Sequence, residues 1–265
     1  MKVNNVELAV NIEGDRMPFI WAHGLTLSML VEDSTGIFDW AGCAEVCRCI
    51  RYDARGHGKS GGSLVTEDYV WSSLANDMIG IADELGIGRF IAGGMSMGCA
   101  TAVSAALAAP ERIIGLVLVT PPTAWETRAA QGTIYDFLAD VVETKGAAAL
   151  QDLMRVRPLV PEWLLPTCSG AFEAHMKQIQ ELDAGVLAQI LRGARLCNFP
   201  PREEFKKLTM PALILAWVDD ATHPVSTSEE LKALLPNSQL VIAKEVDDVK
   251  TWPGLIRDFI SRLSP

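Results

Sequence analysis

Short, mostly apolar runs alternate along the chain with longer segments in which apolar residues recur every three or four positions. Pro18–Ala22, Cys47–Tyr52, Arg89–Gly93, Ile113–Val119, Ala212–Val218 and Gln239–Ala243 have strand length. Several are apolar at nearly every position rather than every second one. That pattern predicts strands buried on both faces, as in a parallel sheet covered by helices. Tyr69–Leu85 places Leu74, Met78, Ile81 and Leu85 on one side of a helix. Met97–Ala109 predicts a helix built almost wholly of small residues, which fits one pressed tightly against the sheet. Further helices are expected over Ser226–Leu235 and near Leu255–Leu263, and an edge strand over Val6–Ile12. Strand and helix in regular alternation predict an α/β fold, with a mostly parallel central sheet and helices on both faces.

One stretch breaks the alternation. Residues 123–207 contain helical segments and three aromatic anchors, Trp125, Trp163 and Phe172, but no strand pattern. The stretch is too long for a plain loop. It is expected to form a helical cap over the carboxyl edge of the sheet, where open α/β sheets bind ligands. The expected organisation is a core of residues 1–122 and 208–265 with the cap, 123–207, inserted between core strands.

Composition narrows the function. With 23 Lys+Arg against 33 Asp+Glu, the net charge of −10 repels a phosphate backbone, so nucleic acid is not an expected partner. No apolar run reaches the ~18 residues of a membrane span, and the first residues lack the apolar core of a signal peptide, so a cytoplasmic location is expected. Of the six cysteines, Cys43, Cys47 and Cys49 have C-x3-C-x-C spacing, which is not a paired zinc pattern. They are expected to be buried, inert thiols, and no metal or cofactor site is expected.

The strongest chemical signal is Gly94-Met95-Ser96-Met97-Gly98, set between an expected strand and an expected helix. Glycines on either side let strand and helix pass closely, so a sharp turn thrusts the serine hydroxyl outward at the helix N-terminus. The backbone N–H of Met97 there faces developing negative charge. A plain strand-to-helix turn with a surface serine is the competing reading. Gly58-Lys59-Ser60 lacks the first glycine of a phosphate-binding loop, which falls at Asp53, and no dinucleotide fingerprint is present.

Two upstream segments agree with the serine turn: His23-Gly24-Leu25-Thr26, and Asp53-Ala54-Arg55-Gly56-His57-Gly58-Lys59-Ser60, each directly after an expected strand. At these places the chain resembles the α/β-hydrolase superfamily, most of all its small capped esterases and enol-lactonases, and the resemblance spans all but the cap. It implies Ser96 as nucleophile and the N–H groups of Met97 and Leu25 as an oxyanion hole. It also implies backbone-organising roles for His23 and His57. The family's acid follows the penultimate strand, four residues before a proline, and that register selects Asp220, four before Pro224, over Asp219.

The family's histidine follows the last strand, but Ala243–Trp252 contains none, and neither does anything after it. Of the four histidines, His223 is the best placed to replace it, just past Asp220 at the carboxyl edge; the alternatives are a loop histidine that only pairs with Asp220 and a chain without a base. His175 is expected on a solvated face of a cap helix. The expected function is a serine hydrolase cleaving a small, largely apolar carboxylic ester or lactone through an acyl-enzyme on Ser96. The other readings are a carbon–carbon bond hydrolase of the same fold and a non-catalytic ligand-binding protein. The expected partners are the small-molecule substrate and, at most, a second copy of the chain in a homodimer. A His223–Ser96 separation within about 3 Å favours an enzyme.

Overall fold

The computed structural model describes residues 1–155 and 160–263. The chain opens with a hairpin of β1 (Lys2–Val3) and β2 (Val6–Glu7), in which Val3 faces Val6. Asn4 and Asn5 between them have φ of 46° and 65°, the left-handed pair of a tight two-residue turn, which asparagine tolerates. The single edge strand expected over Val6–Ile12 is therefore split. Its first part closes the hairpin, and its second part becomes β3 (Val10–Glu13) on the main sheet.

The main sheet continues with β4 (Pro18–Ala22), β5 (Arg48–Tyr52), β6 (Phe90–Met95), β7 (Ile113–Val119), β8 (Ala212–Trp217) and β9 (Ser238–Ala243). Its order is β3-β5-β4-β6-β7-β8-β9, parallel throughout except for antiparallel β3 at the edge. The chain runs outward from β4 to β5 and then returns to build the other side from β6. The order therefore reverses between β4 and β6, where the following loops diverge and leave a crevice at the carboxyl edge.

Successive strand residues point to opposite faces, and two apolar layers follow from this. Ile20, Ala22, Ile50, Ala92, Leu116 and Ile214 pack on one face, and Phe19, Trp21, Ile91, Val117, Leu213 and Leu215 on the other. The short helices α1 (Met29–Asp33) and α2 (Trp40–Ala44) lie between β4 and β5. α3 (Trp71–Glu84) and α4 (Met97–Ala108) cover the first face. Most of α4 is buried, as its small side chains predict.

The segment between β7 and β8 is helical where described: α5 (Arg128–Lys145), α6 (Ala147–Arg155), α7 (Ser169–Glu181) and α8 (Ala184–Leu196). These helices share their own apolar cluster, including Tyr135, Ala139, Leu150, Ile179, Leu187 and Leu191. The chain ends with α9 (Val225–Leu234), α10 (Val246–Lys250) and α11 (Trp252–Leu263), the last covering the second face through Ile256, Phe259 and Ile260. Among the described residues, no helix is long and apolar enough to cross a membrane.

Candidate active site

Ser96 occupies the turn from β6 into α4, with φ 53° and ψ −110°. A non-glycine residue in the left-handed region costs about 1–3 kcal/mol and persists only where its surroundings impose it. Here the flanking backbones impose it. A Cβ on Gly98 would lie 1.9 Å from the Ala22 carbonyl oxygen, and one on Gly94 would lie 2.2 Å from the Gly98 carbonyl carbon. Both positions must be glycine for α4 to start this close to β4 and β6. The Ser96 N–H is tied to the Val119 carbonyl of β7 at 3.0 Å, which leaves the hydroxyl facing the crevice.

His223 Nε2 lies 2.7 Å from Ser96 Oγ, and His223 Nδ1 lies 2.7 Å from Asp220 Oδ2. Acid and imidazole thus come from one loop, three residues apart, between β8 and α9. Trp217 Nε1 donates to Asp220 Oδ2 at 2.9 Å, and the Thr222 N–H donates to Oδ1 at 2.8 Å. Burial raises the Asp220 carboxyl, but the His223 charge and the bonds from His223, Trp217 and Thr222 outweigh it, holding the group well below the ordinary carboxylate range. An ionised Asp220 requires the proton on His223 Nδ1, so Nε2 is left as the acceptor for the serine hydroxyl. Asp219 is exposed, with φ 65° where the chain turns after β8. The segment after β9, which carries no histidine, leads into α10 and brings Trp252 to stack on Trp217 at 5.7 Å.

Leu25 and Met97 line the same small niche beside Ser96. As the first residue of α4, Met97 has an N–H with no acceptor within its own helix. His23 and His57 lie below this loop, fully buried, with rings 5.1 Å apart. The Ala54 N–H donates to His23 Nε2 at 2.9 Å, and His23 Nδ1 bonds the Gly24 carbonyl at 2.8 Å. Burial lowers His23 to about 4 against that backbone bond, and lowers His57 to about 3. Both are neutral and organise backbone.

His175 is not on a solvated face. It is fully buried, 2.9 Å from Thr26 Oγ1, with burial lowering it to about 4. The sequence signal was weak, because Ala174-His175-Met176 places an imidazole between apolar residues without showing which helix face turns inward.

A chamber of about 550 Å³ opens above Ser96 and His223, lined by Leu25, Ile134, Leu138, Leu150, Met154 and Leu191 among others. Among the described residues that line it, Asp220 is the one carboxylate, and none is a lysine or arginine. The three expected aromatic anchors do not line it. Trp125 packs on Phe199 and Phe205, and Trp163 faces a separate recess beside Asp219. Arg128, which sequence reading passed over, rims the niche of Ser96 with its guanidinium buried between Trp71 and Tyr135. It donates to the Cys197 and Ala194 carbonyls at 2.9 and 2.6 Å, pinning the start of α5 to the end of α8.

All six cysteines are free and buried. The sulfurs of Cys43, Cys47 and Cys49 lie within 4.8 Å of one another, a soft donor set inside the second apolar layer rather than in the chamber.

A family model for the alpha/beta hydrolase fold matches residues 18–247. The RutD protein of Agrobacterium fabrum strain C58, whose name proposes carbamate hydrolysis, is 28% identical over 203 residues, covering 74% of this chain and 73% of its own. Among solved structures, the enol-lactonase from Burkholderia xenovorans LB400 superposes with a TM-score of 0.81 at 20% identity, covering 99% of this chain and 98% of that one. A thermophilic esterase from Thermogutta terrifontis gives 0.83 at 21% identity, covering 100% and 98%.

Proposed function

Because the chain belongs to the α/β-hydrolase family and is a hydrolase, we propose that it cleaves a small, largely apolar carboxylic ester or lactone through an acyl-enzyme on Ser96. The observation that carries this reading is the unbroken relay from Ser96 Oγ to His223 Nε2 and from Nδ1 to Asp220, with 2.7 Å at each step. Base and nucleophile are within direct hydrogen-bond reach, which favours an enzyme over a binding protein. The usual base has been replaced from a different loop rather than lost, and a triad is defined by geometry rather than chain order.

The steps follow from the geometry. Ser96 Oγ attacks the carbonyl carbon as His223 Nε2 takes its proton, and Asp220 stabilises the resulting imidazolium. Negative charge on the carbonyl oxygen falls to the N–H groups of Met97 and Leu25. His223 then protonates the leaving alcohol, and water, activated by the same imidazole, clears the acyl group.

The chamber supports ester or lactone over carbamate. Its size is that of a ligand pocket of roughly 300–1,000 Å³, and its lining of aliphatic residues with Tyr135 and Phe137 favours an apolar acyl or alcohol portion. A carbamate ion would leave most of it empty and find no cation among the described lining residues. The names of the RutD relatives nevertheless make carbamate the second substrate to assay.

The test is turnover of short-chain p-nitrophenyl esters by the wild type, Ser96→Ala and His223→Ala. Both variants are expected to lose on the order of 10³-fold or more in kcat. An active His223→Ala beside an inactive Ser96→Ala would remove the base assignment. Serine-independent turnover, or none, would remove the acyl-enzyme.

A further inference from the structure

Thr26 follows Leu25 in the loop beside Ser96, and its φ is 60°. A β-branched residue does not adopt left-handed backbone by its own preference, so its contacts must hold it there. Those contacts come from the far side of the chain. His175 and Gln178, three apart on one face of α7, both reach down to this loop. The Thr26 hydroxyl donates to the Leu25 carbonyl at 2.7 Å, so at 2.9 Å it receives the Nε2–H of His175. Gln178 Nε2 donates to the Thr26 carbonyl at 2.8 Å, and Gln178 Oε1 accepts from the Ser28 hydroxyl. Ser28 in turn caps α1 by accepting from the Val31 N–H at 3.3 Å. His175, Gln178, Thr26 and Ser28 are all buried. The loop's own backbone adds a bond from the Leu27 N–H to the Gly24 carbonyl at 3.1 Å.

We infer that His175 and Gln178 are positioning residues of the proposed reaction: through Thr26 and Ser28, α7 clamps residues 24–28 so that the Leu25 N–H is aimed at the developing oxyanion. The inference rests on the reading of Leu25 as an oxyanion donor. An oxyanion donor works only if it is placed before the charge develops. If Thr26 relaxed to ordinary backbone, the Leu25–Thr26 peptide would turn, the Leu27-to-Gly24 bond across the loop would be strained, and the Gly24–Leu25 peptide that carries the Leu25 N–H would shift in turn. The site is then complete only while α7 is docked. Thr26 also lines the chamber, so substrate entering beneath the helices meets the loop that α7 holds.

His175→Ala, Gln178→Ala and His175→Gln test this, the last because a glutamine amide can return a donor to Thr26 Oγ1. With an ester that the wild type turns over through Ser96, the two alanine variants are expected to lose on the order of 10²-fold in kcat, as when one oxyanion donor is removed. KM should stay within about threefold, and His175→Gln should recover most of the rate. Hydrogen exchange at residues 24–28 should quicken in both alanine variants while β6 and α4 keep wild-type protection. An unchanged kcat, a loss confined to KM, or unaltered exchange in this loop would overturn the inference. If the wild type showed no Ser96-dependent turnover, the proposed function would fail, and the exchange measurement would decide the clamp by itself.

Discussion

Asp219 and Asp220 are neighbouring carboxylates placed in opposite circumstances. Asp220 turns inward and collects bonds from Trp217, Thr222 and His223, whereas Asp219 is exposed and supplies a left-handed turn. Asp220→Asn keeps the size but loses the charge that fixes Nδ1–H on His223. A loss of about 10⁴-fold in kcat is expected, as for the same change in other serine triads. Asp219→Asn, which asparagine's tolerance of left-handed backbone permits, is expected to leave kcat within about threefold. Parallel ester kinetics on the two variants checks both. At this scale the choice of Asp220 over Asp219 came with the family resemblance, through its proline register, since two adjacent carboxylates in a turn look alike in their own sequence. Whether His223 reached Ser96 was open, because 127 positions separate them and no local pattern spans that distance.

The elements around the site hold it by close approach and by pinned crossings. The Gly98 position admits no side chain, so Gly98→Ala must push α4 away from β4, at a cost of about 1–3 kcal/mol or more in stability. Urea unfolding should show the lower midpoint. At the two crossings between the core and the helices over it, Arg128 satisfies the Ala194 and Cys197 carbonyls. Arg128→Met fills similar volume but leaves the Cys197 carbonyl without the Arg128 donor and the Ala194 carbonyl with only the Cys197 N–H at 3.3 Å, at a cost of roughly 1–3 kcal/mol. Thermal melting should fall accordingly, and proteolysis should find the 194–202 segment more readily than in the wild type. The strands, α4 and the closing helices were legible from apolar pattern, since burial on one or both faces writes itself into the period. The hairpin at Asn4-Asn5 was missed although both residues carry its signal, because the apolar alternation on either side reads through it as one strand.

Across the molecule, buried titratable groups set an acid and an alkaline limit on stability. His23, His57 and His175 are lowered to about 4, 3 and 4 by burial, from 6.5. Between those values and 6.5 the unfolded chain binds more protons, so stability rises with pH across that window. Glu32 acts oppositely. Its burial, against the bond from Trp21, raises it from 4.5 to about 8, so the folded state holds the extra proton there and stability falls as pH rises through that window. Below 6.5 the three histidines outweigh Glu32, and above it Glu32 is the one of the four still titrating. The melting temperature is therefore expected to peak near pH 6.5. Glu32→Gln should flatten the alkaline side and steepen the rise between about pH 4.5 and 6.5, where Glu32 no longer opposes the histidines, as a melting series from pH 4 to 9 would reveal.

Local pattern by itself determined the parallel sheet, the helical insertion, the serine at a strand-to-helix turn and the absence of a histidine after the last strand. Each of these is a property of a few consecutive residues: period, turn chemistry, or the presence of one residue type. Only the tertiary structure decided that His223 bridges Ser96 and Asp220, that His175 is buried on Thr26, and that Arg128 joins the two crossings. These depend on where the β8–α9 loop, α7 and α8 come to rest against distant segments. That placement is set by how whole faces pack, and a side chain's own neighbours in the chain do not encode it.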